Sequence, residues 1–361
     1  MRSILIVITT GVAPTGALTT VMMNYYRKMS RDGLTIDFAS YNTGNETVGL
    51  SEELKGNGGH YYCLGKRSHV LSYFYRLYKL CKGYDVIHVN GNSATTVIEH
   101  LAAKLAGVEK RINHNHTSIP DHKATSDLCY PFFNFLVTDR IACSDLAGNW
   151  LYGEGNFLIL KNAVDIEKFQ FNQVTRTNIR REFGISNDCV VLGHVGKIYK
   201  PKNHPYLIRL FAEYRKLNPN TKLFLVGDGI MRHEVEALVE ELQVRKDVIF
   251  AGLRTDIPDM LQAMDYFVFP SIWEGMPLSV LEALSSGLTC IISDHITKDV
   301  MIGPNIHSLQ IESAPKVWAE YINNYKLPSR NEACKQNSIA IAEAGFDIKV
   351  EAQKMRDIYL K

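Results

Sequence analysis

Strand-like and helix-like segments alternate along this 361-residue chain, and the alternation restarts near the middle. Such a chain builds parallel sheets whose strands are joined by crossover helices. In the first half, ILIVITT, TIDFAS, HYYCL, DVIHVN, RINHNH, DRIACS and FLILKN read as strands. Helical patterns fall at about 18–30, 50–57, 68–82 and 94–106. The segment KNAVDIEKFQF has no clear period and reads as a crossover. The second half then offers CVVLGHVGKI, KLFLVGDG, VIFAGL, YFVFPS and LTCIIS as strands. Its helices are expected over PYLIRLFAEYRKL, RHEVEALVEELQV, 256–264, 278–286 and a terminal stretch at about 346–360. The expected fold class is α/β, with two doubly wound halves and a ligand cleft at the strands' C-terminal edges.

Length agrees with two domains rather than one. The net charge of +2 implies no polyanionic partner, so nucleic acid is not expected. Seven scattered cysteines without a CxxC pair argue for a reducing compartment and against a zinc or disulfide framework. MRSILIVITT is too short and strand-like for a signal peptide, and no apolar run approaches a membrane span. The expected location is the cytoplasm, including the inner membrane surface.

Residues 270–294 read PSIWEGMPLSVLEALSSGLTCIISD. This is a loop, a helix and a strand, with Glu274 in the loop and Glu282 on the helix. Pro277 suits a first helical position, where its missing N–H costs nothing. The amides of Met276, Leu278 and Ser279 would then form an anion site, reinforced by the helix dipole. A carboxylate beside such a site does not bind phosphate; its oxygens suit sugar hydroxyls. The pair therefore points to a ligand carrying both phosphate and hydroxyls. Two solvated acids are the plainer alternative.

Lys197 and Lys202 flank the loop GHVGKIYKPKNH, where Gly193 and Gly196 permit close backbone approach. They suit a diphosphate, or else a basic surface loop; Lys200 is expected to point outward. No P-loop motif and no GxGxxG follow a strand, so a triphosphatase or a dehydrogenase is unsupported. In the first loop Thr10, Gly11, Thr15 and Gly16 precede a helix whose start could admit a phosphate or a sugar. His114 and His116 share one strand face; no further ligand of metal-binding spacing stands nearby, and packed histidines fit equally. Residues 54–84 hold no acid but carry Lys55, Lys66, Arg67, Arg76, Lys79 and Lys82, interleaved with Tyr61, Tyr62, Tyr73, Phe74, Tyr75 and Tyr78. That composition fits an anionic membrane surface or an amphipathic helix covering a sheet.

With these motifs in hand, the second half resembles the retaining glycosyltransferases of family 4. The resemblance rests on GHVGK with PKNH, LFLVGDG, VIFAGLRTDIPDMLQAMDYFVFPS and the Glu274–Glu282 spacing. In the first half, TTVMMNYYRKM, RINHNHTS, ACSDLAGNWL and NAVD look like the branch that builds bacterial capsule and exopolysaccharide. The loop at 9–17 departs from it, with a single Gly16 where a double glycine is usual. The resemblance implies a GT-B fold: a first domain over 1–165 on the acceptor side, a donor domain over 166–345, and a helix over 346–361 packing back toward the first. It implies that Lys197 and Lys202 bind the donor diphosphate and that Glu282 holds the ribose. Glu274 would contact the donor sugar, and Gly275, Met276, Leu278 and Ser279 would cradle sugar and phosphate. Leu253, Arg254 and Ile257 would border the base. His116, with His114, would lie near the reacting sugar, and Gly16 near the phosphates. The implied donor is a UDP-sugar, the acceptor a glycan on a polyprenyl diphosphate, and no metal or other cofactor is needed. A sugar-nucleotide epimerase and a non-catalytic subunit stay open as alternatives on the same fold.

Overall fold

The computed structural model describes residues 1–13, 16–42, 45–117 and 123–361. Pro14 and Thr15 of the first loop, and Ser118 of RINHNHTS, lie outside the described residues. The chain forms two compact units, one of Met1–Ala163 with Ile348–Lys361, the other of Val164–Asp347.

The first unit runs β1 (Arg2–Ile8), α1 (Ala17–Lys28), β2 (Leu34–Ser40), α2 (Asn45–Gly56), β3 (Tyr61–Cys63), α3 (Val70–Cys81) and β4 (Val86–Gly91). It continues with α4 (Val97–Leu105), β5 (Lys110–Asn115), α5 (Lys123–Leu136), β6 (Asp139–Ala142), α6 (Asp145–Tyr152) and β7 (Leu158–Ile159). The strands form one parallel seven-stranded sheet in the order β3-β2-β1-β4-β5-β6-β7. β1 is central, and its Ile4–Ile8 are all buried, as a strand covered on both faces requires. On α3, Tyr73, Leu77 and Cys81 recur every four residues and are buried, the inward stripe of an amphipathic helix.

The second unit runs α7 (Gln173–Glu182), β8 (Val190–Val195), α8 (His204–Leu217), β9 (Thr221–Val226), α9 (Arg232–Glu241), β10 (Val248–Gly252) and α10 (Ile257–Gln262). Then come β11 (Tyr266–Phe269), α11 (Leu278–Ser285), β12 (Thr289–Ser293), β13 (Ile306–Leu309), α12 (Pro315–Asn324) and α13 (Arg330–Glu343). Its parallel sheet has the order β10-β9-β8-β11-β12-β13. The order reverses between β8 and β11, the switch point where doubly wound sheets leave a crevice.

The last helix, α14 (Ile348–Leu360), belongs to the first unit. Its buried Glu351 accepts the Lys161 N–H at 2.8 Å, and its Tyr359 hydroxyl meets His88 Nδ1 at 2.6 Å. Both anchors are buried polar groups with partners, which stops the helix from slipping along its groove.

Six elements were not anticipated: α5, α6, α7, β13, α12 and α13. The helix expected near 50–57 begins at Asn45, and the one at 94–106 opens with a 3-10 turn at Ala94–Thr96. All seven cysteines are free; Cys63 is exposed, while Cys129 and Cys143 are part-buried and pack against a core cluster of the first unit. No helix among the described residues is long and apolar enough to cross a membrane.

Candidate active site

Two loops leave the second sheet at its switch point. One follows β8 and carries Gly196, Lys197 and a 3-10 turn over Lys200–Lys202. It ends at Asn203, whose left-handed backbone (φ 54°) turns the chain into α8. The other follows β11 and carries Ser271, Glu274 and Gly275. The two are tied together where Ile272 N–H donates to Pro201 O at 2.8 Å. The close packing behind them demands glycine. A Cβ on Gly227, in the turn after β9, would sit 2.1 Å from Gly196 O.

Lys202 Nζ lies 2.8 Å from Glu274 Oε1, near enough for an ion pair but without the alignment of a hydrogen bond. The ammonium also stands 4.2 Å from the centre of the Phe269 ring. Burial pulls the Lys202 pKa down, against the pull of Glu274. Behind it lie His194 and His204, ring centres 4.8 Å apart and both mainly depressed by burial, His204 to about 4. These neutral rings carry no charge to compete with Lys202. Lys197 is exposed, its Nζ 5.8 Å from the Tyr199 ring centre, and Lys200 is exposed as well.

α11 begins just beyond Glu274. Pro277 is its cap, no side chain satisfies the start, and no acid occupies the first turn. The amides of Leu278 and Ser279 therefore lack intrahelical acceptors. A Cβ placed on Gly275 would meet nothing within 4 Å, so open space faces this cradle. Glu282, one turn into the helix, is half-buried and forms no ion pair among the described residues. Burial raises its carboxyl to about 7, against the opposing charge of Lys168. At the end of β10, Leu253 is exposed and Ile257 half-buried. Arg254 is held by Asp256, with Nε–Oδ1 at 2.8 Å, and lies 3.4 Å from Glu182.

In the first unit, His116 follows β5. Its Nε2 lies 2.9 Å from Asn90 Oδ1 and its Nδ1 3.2 Å from Asn162 Oδ1. Burial lowers this ring to about 4, so it is neutral and has one donor nitrogen. One of the two amides must then turn its NH2 toward the ring. His114 stacks between His88 and His116, at 5.4 and 4.0 Å, and is fully buried, with no hydrogen-bond partner for either nitrogen among the described residues. The His114 nitrogens lie behind the His116 ring, which is the more accessible of the two. Gly16 caps α1 with an extended backbone, while Gly11 in the same loop is left-handed (φ 88°). Both line a cavity of about 210 Å³ at the ends of β1 and β2, with Thr10, Tyr41 and Asn42.

Asn90, Asn162, Phe269 and Ser271 were not singled out in the sequence. Ser271 is fully buried with an unpartnered hydroxyl. A hint existed only for Asn90, which ends a strand beside the first sheet's switch point. One group among the described residues could hold a cation: Asp294 and His295 after β12 with Glu312 after β13, all exposed. His295 Nε2 already pairs with Glu312 Oε1 at 3.0 Å.

The family model of glycosyl transferases group 1 matches residues 175–340. EpsF of Bacillus subtilis (strain 168), a glycosyltransferase by name, is 31% identical over 363 residues, covering 95% of this chain and 93% of EpsF. The Escherichia coli UDP-Gal:alpha-D-GlcNAc-diphosphoundecaprenol alpha-1,3-galactosyltransferase is 28% identical over 310 residues, covering 79% of this chain and 78% of its own. Among solved structures, Anabaena HepE in complex with UDP matches with a TM-score of 0.80 at 19% identity over 99% of both chains. The fold is that of GT-B glycosyltransferases.

Proposed function

The chain belongs to the glycosyltransferase group 1 family, and we propose that it moves a sugar from a UDP-sugar, with retention, to a glycan carried on a polyprenyl diphosphate. Among relatives, an undecaprenol-linked acceptor and a UDP-galactose donor stand in the name of the E. coli galactosyltransferase, and UDP is bound by HepE. The observation that carries the reading is the meeting of Lys202, Glu274 and the uncapped start of α11 at one switch point.

Bond breaking between the anomeric carbon and phosphate puts negative charge on the departing diphosphate. Lys197, Lys202 and the amides of Leu278 and Ser279 would meet that charge, and such fixed dipoles and cations cost no reorganisation at the moment of reaction. Glu274, released from Lys202 as the ammonium turns to phosphate, would accept from the donor sugar's hydroxyls. Glu282, ionised above about pH 7, suits the two ribose hydroxyls. From the first unit we assign His116, neutral and held by two amides, to the reacting sugar. The acceptor hydroxyl would approach on the leaving group's own face and pass its proton to the departing phosphate oxygen, which yields retention. We assign no step to a metal.

A peripheral membrane position fits the lipid-borne acceptor. α3, α4 and α5 form one layer whose outer side exposes Leu71, Tyr75, Leu105, Leu128, Phe132 and Phe135. Lys79, Lys82 and Lys104 lie over Tyr75, Tyr78 and Phe135 at 3.9–4.7 Å. Apolar side chains beside lysines suit an anionic lipid surface.

The test is a screen of nucleotide sugars without acceptor, reading released nucleoside diphosphate. Slow release from one UDP-sugar, accelerated by a polyprenyl-linked glycan, is expected. Isomerised sugar nucleotide formed without acceptor would overturn transfer in favour of epimerisation. Flotation with anionic vesicles, lost on Leu128→Glu with Phe132→Glu, tests the membrane face; equal flotation of the variant would remove it.

A further inference from the structure

At the opposite, N-terminal edge of the second sheet lies a cavity of about 310 Å³, lined among others by Phe171, Arg176, Asp265, Thr289, Arg330 and Asn331. No step of sugar transfer uses it. Three guanidiniums gather there around one carboxylate. Arg176 and Arg180 hold Asp265 at 2.6 and 2.7 Å, and Val191 N–H donates to the same carboxylate at 2.7 Å. Arg330 has no ion pair among the described residues. It donates to the carbonyls of Ser286, Met264 and Leu261 at 2.5–3.0 Å, with its cation 5.0 Å from the Phe171 ring centre. Burial, then the like charge of Arg176, brings Arg330 down to about 9. With a longer bond to Ser286 Oγ at 3.4 Å, the carbonyl contacts engage four of its five N–H groups and leave one free, and its nearest charge of opposite sign, Asp265, is held by other arginines.

Two further observations point to a ligand. Thr289 is buried, forms part of the cavity wall, and its hydroxyl has no partner. An unmet buried hydroxyl costs about 1–3 kcal/mol, so a partner is expected. In addition, the 14-residue helix α13 starts at this wall, and its cap Ser329 makes no side-chain hydrogen bond to the helix start. The first amides of α13 lack intrahelical acceptors, and its dipole favours negative charge there. Glu332, in the first turn, is exposed and does not line the cavity.

We infer that this cavity is a second ligand site, separate from the donor site, that binds a compact oxyanion of the phosphate class between Arg176, Arg330, the Thr289 hydroxyl and the start of α13. Asp265 takes one Nη of Arg176 and the carbonyls of Gln262 and Met264 take the other, so the Arg176 Nε–H is left for the ligand. The inference stands apart from the donor reading.

Calorimetric titration of inorganic phosphate into the full chain tests it. Lys202→Ala serves as background, because the donor loops could also take phosphate. Saturable binding is expected in that background. It should weaken at least about tenfold when Asn331→Asp adds a like charge to the cavity wall. An acid in the first turn of a helix favours the helix, so unfolding would not explain the loss. Thr289→Val, which keeps the side chain's shape, should weaken binding as well. Absence of saturable binding in Lys202→Ala, or an affinity unchanged by Asn331→Asp, would overturn the site. Normal sugar transfer by Lys202→Ala would instead fault the donor reading and leave this one standing.

Discussion

Lys202 and Glu274 hold each other across the gap between β8 and β11, Nζ to Oε1 at 2.8 Å, with side chains only 12% and 17% exposed. A mostly covered pair of this kind keeps both groups in place, and removing one partner strands the other's charge. The pair joins the two loops assigned here to the donor's phosphate and sugar.

Lys202→Ala is expected to lower transfer by about 10²-fold or more, since it removes a cation from developing charge. The measurement is kcat with saturating donor and acceptor. Near-normal turnover would defeat the diphosphate assignment. Glu274→Gln and Lys202→Ala should both lower the melting temperature, because each leaves a mostly covered charge without its partner.

Glu282 sets a pH dependence of unusual sign. Its folded pKa of about 7 stands above the ordinary 4.5, so the folded state holds more protons between those values. Its contribution to stability therefore falls as pH rises from about 4.5 to 7 and is constant above. The penalty reaches a few kcal/mol at most. Glu282→Gln should flatten this part of the urea-denaturation profile. UDP affinity in the unmodified chain should rise between pH 6 and 8 as the carboxylate ionises. A pH-independent affinity, equal in Glu282→Gln, would remove the ribose role.

Buried histidines act in the opposite direction. Burial depresses His88 to about 3 and His100, His116 and His204 to about 4. Unfolded histidines take up protons near 6.5, so stability is complete above that pH and is lost as pH falls toward 4. The melting temperature should drop steeply over that window. A flat profile from pH 7 to 4 would contradict the neutral, packed rings. It follows that His116 gives no limb to the pH–rate profile between pH 5.5 and 8.

A chelator should leave transfer intact. Complete loss, restored by added divalent cation, would move attention to Asp294, His295 and Glu312, whose ligand atoms all lie within 4.8 Å of one another.

Much of the fold was legible because local periodicity reports burial. β11 and β12 are apolar runs and α11 starts at a proline, so 266–285 could be read directly. α5 escaped notice because its outer face carries Leu128, Phe132 and Phe135, which blurs the polar side of the pattern, and Pro131 lies within it. α7 buries Arg180, a charge that no hydrophobic template would place inside. α13 buries Ala333, Cys334 and Asn337, too small or too polar to show a stripe. In the candidate site, glycines, lysines and acids at strand ends drew attention through spacing. Asn90 and Asn162 did not, since an amide's role depends on which ring it faces.

By itself the sequence determined the doubled α/β plan, the order of most of its strands, and the loops and helix start that carry Lys197, Lys202, Glu274 and Glu282, because alternation and loop chemistry are properties of neighbouring residues. Only the tertiary structure decided that Lys202 pairs with Glu274, that His88 meets Tyr359 from 271 positions away, and that Arg330 stands beside Arg176 with no ion pair among the described residues. Those facts depend on which strand ends and helix starts pack side by side, and on how much water is left between them. Local patterns carry no record of either.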